Sequence, residues 1–335
     1  MNPILYKIPT METNIEELKI GFNDEPDPKL IKYGFNVNDK IDYATLTHDL
    51  SYKIALEYDI GRSMDLLKTH FGIKDIDESF LELWEIFVLF KFFEPNKKQV
   101  VLTSNHDVSS KIIQIYKNLS RQNISVDLIN KGAATLIVQR YSDVDIEENA
   151  FVQILMNDLP NFLLSQELGA NMILQLFNVQ TQIMVEIIGL LNSIYDKSYL
   201  IKPTVSSNIS DSKYIVLTNL KIKMKINVPK NPNNSYITSL GFIVSSDLSI
   251  MIQCFNSEIL SKKHKTFNII KYFLGTGVYE NSLYQELLQK QDKNITNWLS
   301  VYGSTESFSN DKLDFIVNET EKKCNYKTNI RDIYK

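Results

Sequence analysis

The residue types that most often carry out chemistry are sparse in this chain of 335 residues, which contains 4 histidines and 2 cysteines. Cys254 and Cys324 cannot form a disulfide framework or a zinc knuckle, because both need several closely spaced cysteines or histidines. His106 and Asp107 are adjacent and could serve as a base and the carboxylate that orients it. An isolated His-Asp pair in a loop is nonetheless more often solvated surface than an active site.

Two basic runs, Lys221–Lys225 and Lys262–Lys265, could each hold a phosphate group. Neither run is interleaved with aromatic residues, and solvated faces explain such runs more often than RNA platforms do. The net charge of −4 gives no global reason to expect nucleic-acid binding, which usually shows as a basic balance or stripe. We therefore expect RNA to be at most a weak ligand.

The composition is typical of a protein with a sizeable core, since 44% of the residues are hydrophobic and 11% are aromatic. The length allows one large α/β domain with extensions, or two small domains. No apolar run approaches the roughly 18–20 residues that a membrane helix needs. The N-terminus also lacks the basic flank and apolar core of a signal peptide. These features predict a reducing, intracellular compartment.

The stretch Gly169–Leu220 shows the clearest alternation of strand and helix patterns. Asn171–Phe177 is a short apolar run, and Val179–Tyr195 repeats apolar residues at helical spacing. Tyr199–Ile201 and Tyr214–Leu217 are again short and apolar, with turn-forming Ser, Asn and Asp residues between them. The predicted order is strand, helix, strand, strand.

The elements before this stretch also alternate. Ser79 is the predicted N-cap of a largely buried helix, Phe80–Phe93. The remaining predictions are strands at Val100–Leu102, Val126–Leu128 and Leu136–Val138, and helices at Val108–Leu119 and Asn149–Gln166, the second with a kink at Pro160.

The two ends of the chain are predicted to be extensions. Met1–Lys40 contains prolines without a sustained period, and either straps over its own domain or binds a partner. Ile41–His70 has helical periodicity that Gly61 divides in two. Beyond Leu220 several mainly helical pieces follow, with Trp298 predicted to lie in the core. The predicted organisation is an arm at 1–40, an α/β domain at 41–220 and a mainly helical extension at 221–335.

Three segments of the α/β region carry a family resemblance: Leu83–Ile86, Gly169–Phe177 and Lys202–Tyr214. They contain the Trp-Glu-Ile of a helix before the first strand, a glycine-led strand that ends in Phe, and Lys-Pro-Thr followed by Ser-Lys-Tyr. On these segments, Ser79–Leu220 resembles the FtsJ-like cap ribose 2′-O-methyltransferases of large DNA viruses. The resemblance implies a Rossmann-like methyltransferase fold: an α/β protein with a mixed, mostly parallel sheet and helices on both faces.

The resemblance also locates the loop that would bind S-adenosylmethionine. In the family an acidic-x-Pro-Gly-Gly loop follows the first strand, and its glycines let the backbone approach the cofactor closely. The corresponding segment here, Thr103–Ser110, has no glycine and no proline. We therefore expect no cofactor to bind at the degenerate loop positions, which are Ser104, Asn105, His106, Asp107, Val108 and Ser109.

The family's Lys-Asp-Lys-Glu tetrad corresponds to Glu82, Arg140, Gln175 and Ser212 in this sequence. In the family the central lysine helps to remove the proton of the ribose hydroxyl. Gln175 cannot act as a base, Arg140 remains protonated at ordinary pH, and Ser212 cannot supply the acidic partner. Asp211 lies one residue from the glutamate position, so a one-residue shift there stays open. The resemblance implies a catalytically inactive member of the fold.

Glu82 and Arg140 reverse the charges of the family's first lysine and its aspartate. We predict that the two form a salt bridge within the former site, the alternative being that Arg140 points to solvent. A large partner interface is expected on Met1–Lys40 and on the apolar segment Ile243–Phe255, which could add to a sheet. The alternative is that both segments pack on their own domain.

Three classes of function follow from the resemblance. The first is a non-catalytic subunit that stimulates a catalytic partner in viral mRNA capping, by analogy with the methyltransferase-like small subunit of poxvirus-type capping enzymes. The second is a structural or RNA-binding component of a viral transcription or virion assembly, and the third is an active RNA 2′-O-methyltransferase with a rebuilt site. In the first class the expected partner is a protein, the expected location is the host cytoplasm or the virion, and no metal or cofactor is needed.

Overall fold

The architecture is that of a computed structural model, which describes residues 2–10, 18–29, 49–93, 95–120, 123–141, 147–229, 235–305 and 310–323. Its strands are β1 Ile4–Lys7, β2 Gly21–Asn23, β3 Lys98–Thr103, β4 Ser125–Ile129, β5 Ala134–Gln139, β6 Gln166–Leu176, β7 Tyr195–Lys202, β8 Lys213–Leu220 and β9 Tyr236–Ser239. Its helices are α1 Leu50–Ala55, α2 Met64–Phe71, α3 Glu78–Phe90, α4 His106–Ser120, α5 Glu148–Ser165, α6 Gln182–Ile194, α7 Ser246–Thr276, α8 Ser282–Tyr302 and α9 Asn310–Lys323.

A mixed sheet of seven strands, in the order β1-β7-β8-β6-β5-β3-β4, forms the centre of the fold. Strands β4, β3, β5 and β6 run parallel to one another. Strand β8 lies between β6 and β7 and is antiparallel to both. The predicted Rossmann-like α/β class is confirmed, and each strand predicted from the apolar runs is present.

Helices cover both faces of the sheet, as expected. Alternate residues of a strand point to opposite faces, so Met172 and Leu174 pack with α5, α6 and α7, whereas Ile173 packs with α3, α4 and α8. Val179–Tyr195 is helical over α6, and α5 continues through Pro160. The two apolar layers keep the sheet dry on both sides and leave its edges for polar groups.

The N-terminal arm is part of the fold in its described portions. Strand β1 pairs antiparallel with β7 at the edge of the sheet, and Ile4, Leu5 and Tyr6 are buried. Strand β2 pairs with β9 in a separate two-stranded sheet. Of the two alternatives for the arm, these residues fit the strap that packs on its own domain. Residues 30–40 of the arm and 41–48 of the next predicted segment lie outside the described residues.

The prediction that the apolar segment Ile243–Phe255 adds a strand to a sheet is wrong, because from Ser246 onward the segment is helical. Ser245 caps helix α7 by accepting a hydrogen bond from the Leu248 amide at 3.2 Å. The apolar side chains then recur at helical spacing and are buried against the main core: Leu248, Met251, Ile252 and Phe255. The separately predicted C-terminal pieces merge into α7 and α8, which confirms a mainly helical extension over the described ranges.

Helix α3 places two carboxylates inside the protein. Its N-cap is Asp77, which accepts from the Phe80 amide at 2.8 Å, and not the predicted Ser79. Nearly every residue of the helix is buried, including Glu82 and Glu85. A buried carboxylate is costly unless it is paired or hydrogen-bonded, so α3 determines where polar partners must converge.

The position of β1 can be tested with Leu5→Ala. Leu5 is fully buried, and a large-to-small substitution at such a site lowers the free energy of unfolding by about 2–5 kcal/mol. Urea denaturation measures the change. The exposed Lys7 of the same strand provides the control, Lys7→Ala, expected to stay within about 0.5 kcal/mol of wild type. Equal, small effects of both substitutions would show that β1 detaches from the sheet.

Candidate functional site

The predicted site positions lie at the edge of the sheet formed by the carboxyl ends of the parallel strands. The chain leaves β3 for β4 on one side and returns to β5 on the other, which makes the gap between β3 and β5 a topological switch point. Ligands of open α/β sheets bind at such points. Ser104 and Asn105 follow β3 there, and Arg140 follows β5.

The loop after β3 is shorter than the sequence indicated. Only Ser104 and Asn105 separate β3 from α4, so the expected eight-residue loop Thr103–Ser110 is a two-residue turn followed by a helix. His106 and Asp107 are exposed on the first turn of α4, and Asp107 pairs with Lys111 at 2.7 Å. Asp107 is thus paired with a lysine, and both residues are exposed to solvent. The interpretation of the His-Asp pair as solvated surface is confirmed.

The turn is held by the chain's own hydrogen bonds. The Val108 amide donates to Asn105 Oδ1 at 3.2 Å, and the hydroxyls of Thr103 and Ser109 lie 2.9 Å apart. Ser104 Oγ donates to the Arg140 carbonyl at 2.9 Å and accepts from the Arg140 amide at 3.1 Å. Ser104 thus ties the end of β3 to the end of β5, across the gap where a ligand would enter.

Glu82 and Arg140 meet at the hydroxyl of Tyr214. This hydroxyl donates to Glu82 Oε2 at 2.8 Å and accepts from Arg140 Nε at 3.1 Å. Burial raises the pKa of Tyr214 well above its usual value, so the phenol stays protonated and can donate. The two charge-reversed side chains are therefore joined through a tyrosine hydroxyl, and not by the direct salt bridge that was predicted between them.

Gln175 and Ser212 form the second half of the same site. Gln175 Nε2 donates to Ser212 Oγ at 2.8 Å, and Gln175 Oε1 accepts from the Tyr141 amide at 2.9 Å. Gln175 lies directly opposite Tyr214 in the β6–β8 ladder. All four predicted positions therefore belong to one hydrogen-bonded network, in which Arg140 is half-buried and the other three are buried.

Lys202, at the end of β7, is a member of the site that the residue-by-residue prediction missed. Its Nζ donates to Ser206 Oγ at 3.2 Å and to the carbonyls of Ser210 and Ser212 at 2.8 and 3.1 Å. Burial lowers the pKa of Lys202 to about 8, and the charge of Glu82 acts in the opposite direction. The sequence feature that could have identified Lys202 is its position immediately after the apolar run Tyr199–Ile201, at the end of a buried strand.

The same electrostatic conflict shifts the pKa of Glu82. Burial raises it, and the hydrogen bonds from Ser206 and Tyr214 act against that rise, as do the charges of Lys202 and Arg140. Burying a carboxylate and a lysine together costs less than burying either alone, because each charge is partly neutralised by the other. The network therefore fixes Glu82 and Lys202 as mutual structural partners.

Lys213 and Asp211 lie beside this network. Lys213 Nζ donates to the Phe177 carbonyl, and burial lowers the pKa of Lys213 to about 8. Asp211 pairs with Lys263 of α7 at 2.9 Å. Burial acts to raise the pKa of Asp211, but the nearby ammonium groups, Lys263 first, outweigh it and lower the pKa. Asp211 thus anchors α7 to the loop after β7.

Glu85, the second buried carboxylate of α3, fastens other elements together. Its Oε1 accepts from the Thr204 amide and hydroxyl at 2.8 and 2.7 Å, and its Oε2 accepts from Trp298 Nε1 at 2.8 Å. Burial raises the pKa of Glu85 to about 7. Trp298 is 1% exposed, which confirms its predicted place in the core.

Two further kinds of site are absent from the ranges that the structure describes. Within them no group of three or more His, Cys, Asp and Glu side chains is placed to hold a metal ion. None of the helices there is long and apolar enough to cross a membrane.

Comparison with known proteins adds a family but no activity. No family model matches the chain. Its sequence is 37% identical, over 351 residues that cover 100% of both chains, to a protein described as "Uncharacterized protein R383" of Acanthamoeba polyphaga mimivirus. The chain belongs to the same family as this mimivirus protein. Because this viral relative is itself uncharacterized, membership of the R383 family indicates no activity. The function must therefore be inferred from the geometry of the candidate site.

The bridging role of Tyr214 can be tested with Tyr214→Phe. Losing the hydroxyl leaves the buried Glu82 without one donor and Arg140 Nε without its acceptor, so we expect a loss of about 1–3 kcal/mol in the free energy of unfolding. Tyr116→Phe is the control, because the Tyr116 ring is also buried and its hydroxyl makes no hydrogen bond within the described part of the chain. A Tyr214→Phe protein as stable as this control would contradict the bridge.

A second prediction for this R383 family member concerns pH. The pKa of Lys202 falls from 10.5 to about 8 on folding, so between these values the unfolded chain binds a proton that the folded chain does not. Stability should therefore rise with pH over this window, by at most about 1.4 kcal/mol per pH unit for one lysine. Buried tyrosines act oppositely near the top of the window, so only the difference between wild type and Lys202→Met isolates the effect.

Urea denaturation at several pH values between about 8 and 10 measures this difference. The stability of Lys202→Met should rise less steeply with pH than that of wild type. The exposed Lys197 of the same strand gives the control, Lys197→Met, since its side chain remains in water in both states. Parallel pH profiles for wild type and Lys202→Met would overturn the assignment of Lys202 as a buried, destabilised ammonium.

Proposed function

We propose that this protein is a non-catalytic, methyltransferase-like subunit that acts in viral mRNA capping by stimulating a catalytic capping or methyltransferase subunit. The observation that supports this most is the closure of the candidate site on itself. Glu82, Arg140, Gln175 and Ser212 occupy the four positions implied by the resemblance. Glu82 and Arg140 hydrogen-bond to Tyr214, and Gln175 hydrogen-bonds to Ser212 and to the Tyr141 amide. The site has become part of the core, so the fold has another use.

The missing cofactor loop supports the same proposal. The turn after β3 has two non-glycine residues, and Ser104 ties it to the Arg140 backbone. In Rossmann-like folds this crevice is where a cofactor approaches the backbone. A cofactor would have to break the Ser104 hydrogen bonds and displace side chains where the family has glycines. The protein is therefore proposed to work without S-adenosylmethionine.

An active methyltransferase with a rebuilt site is the competing proposal, and Lys202 is the residue that would favour it. A lysine with a pKa of about 8 could act as a general base. However, Lys202 Nζ donates to three oxygen atoms of the chain itself, so an ammonium there has each of its hydrogens engaged. A base must instead reach the substrate hydroxyl, which makes the structural role the better explanation.

A structural or RNA-binding component of a viral assembly is the other alternative, and exposed lysines favour it. Lys221, Lys223 and Lys225 follow β8 directly and are exposed to solvent. Such a run can neutralise backbone phosphates without reading sequence. The run offers no aromatic platform for bases. We therefore keep a protein as the proposed partner, and the host cytoplasm or the virion as the proposed location.

The proposal predicts that the purified protein binds neither S-adenosylmethionine nor S-adenosylhomocysteine in isothermal titration calorimetry. The reason is the closed, glycine-free crevice between β3 and β5. An active cap 2′-O-methyltransferase titrated under the same conditions is the positive control. A dissociation constant in the low micromolar range would overturn the proposal, as would methyl transfer to capped RNA that Lys202→Met abolishes without unfolding the protein.

The partner is tested separately, by affinity purification of the tagged protein from infected cells, with and without ribonuclease. We expect a capping or methyltransferase subunit to co-purify after ribonuclease treatment, and its methyl transfer to increase when the purified protein is added. Recovery that disappears with ribonuclease would instead favour the RNA-binding alternative. Truncation of the first ten residues is unsuitable as a control here, because β1 belongs to the central sheet.

A further inference from the structure

A pocket of about 250 Å³ lies away from the methyltransferase-like site, between α1, α7, α8 and the loop after β7. This volume is slightly below about 300 Å³, the lower end of the range for small-molecule pockets. Its lining includes Lys262 and Lys265 of α7, Lys290 of α8 and Asn208 of the loop. Glu57, just beyond α1, is the acidic residue of the lining.

The charges around this pocket are not compensated by the protein. Lys262, Lys265 and Lys290 take part in no salt bridge within the described part of the chain, whereas the neighbouring Lys263 is paired with Asp211. Three lysines thus face a single carboxylate. Ammonium groups gathered around one cavity repel each other, and an anion in the cavity removes that repulsion.

Asn208 gives an independent indication of a ligand. Its side chain is 7% exposed and lines the pocket, yet it makes no hydrogen bond within the described residues. The carboxamide atoms of this otherwise buried residue keep some solvent exposure, so they are open to a ligand in the pocket. Its amide hydrogens can donate to an anionic oxygen in the pocket, beside the lysines.

The walls of the pocket are firmly built. Gln291 of α8 donates through Nε2 to the carbonyls of Lys53 and Leu56, both at 2.8 Å, at the C-terminal end of α1. The C-terminal carbonyls of a helix carry partial negative charge, and the amide of Gln291 satisfies them. Gln291 therefore holds α8 against the end of α1, while its Oε1 is buried without a hydrogen-bond partner in the described residues.

Two other surface pockets do not share this character. The groove between α4 and β4 is lined by one lysine and one aspartate, Lys117 and Asp127. The pocket between α1 and α8 contains Arg62, which pairs with Asp292 at 2.8 Å. Of these three cavities, the one between α7 and α8 has the largest excess of basic over acidic residues in its lining.

We propose that the pocket lined by Lys262, Lys265, Lys290 and Asn208 binds the phosphate group of a small phosphate-bearing ligand, either inorganic phosphate or a phosphomonoester. The lysines supply charge, and the Asn208 amide supplies a directed donor. The proposal is independent of the capping function, because the pocket uses none of the four tetrad positions.

Isothermal titration calorimetry on the full chain at physiological salt tests the proposal, with inorganic phosphate, adenosine monophosphate and adenosine as probes. Phosphate and the nucleotide should bind saturably with dissociation constants at or below about 1 mM, whereas adenosine should not bind. Tighter binding of the nucleotide than of phosphate would identify a phosphomonoester as the ligand class, and equal affinities would identify the free anion. Adenosine binding as tightly as the nucleotide, or phosphate failing to saturate, would overturn the proposal.

Variants separate a built site from general electrostatic attraction. The double variant Lys265→Gln/Lys290→Gln should weaken phosphate binding at least about tenfold, as expected for the loss of charge-assisted hydrogen bonds. The control Lys221→Gln/Lys293→Gln removes the same charge from exposed positions outside the pocket and should change affinity little. Equal losses in both would show non-specific attraction and contradict the site.

Two single variants complete the test. Asn208→Ala keeps every charge and should weaken binding several-fold, which a diffuse electrostatic effect would not do. Glu57→Gln removes the opposing carboxylate and should tighten binding. Circular dichroism and thermal denaturation confirm that each variant is folded. Unchanged affinity in folded Asn208→Ala, or weaker binding in folded Glu57→Gln, would count against the proposed geometry.

Discussion

The requirement that a buried charge must find partners organises this structure around Tyr214. Helix α3 carries Glu82 into the core, and the hydroxyl of Tyr214 joins this carboxylate to Arg140. Lys202 stands close enough to Glu82 to oppose the rise in its pKa. An unpaired charge in such a place would cost several kcal/mol, on the order of 3–5. The end of the sheet, the loop after β7 and helix α3 are consequently held as one unit.

This constraint also bears on function. A catalytic site needs a base, a charge or a donor that remains available to a substrate, and here Gln175, Ser212 and Lys202 direct their hydrogen bonds to the chain itself. The positions that the methyltransferase resemblance identifies are thus close together in space but chemically occupied. The pocket between α7 and α8 is the opposite case, because within the described residues its three lysines form no salt bridge and Asn208 forms no hydrogen bond.

The C-terminal helices take part in both regions. Trp298 of α8 donates to Glu85 of α3, and Lys263 of α7 pairs with Asp211 in the loop after β7. That loop supplies Asn208 to the pocket and Ser212 to the buried network. The mainly helical extension is therefore a structural part of the α/β domain. Along the chain, Asn208 of the pocket lies only a few residues before Ser212 of the buried network.

The sequence by itself determined the elements whose patterns are local. Short apolar runs located β3, β5, β6 and β8, and helical periodicity located α6, because the length and spacing of apolar residues report directly which residues face a core. The family resemblance identified Glu82, Arg140, Gln175 and Ser212 as neighbours, and they are.

Only the tertiary structure decided the rest, since it depends on contacts between distant residues. Arg140 and Tyr214 are 74 positions apart, and Glu82 and Tyr214 are 132 apart, so no local pattern could reveal the bridge. The pairing of β1 with β7, the burial of Lys202 and the assembly of the lysine pocket from α7, α8 and a loop are of the same kind. Each follows from which surfaces the packed sheet brings together, and that information is spread over the whole chain.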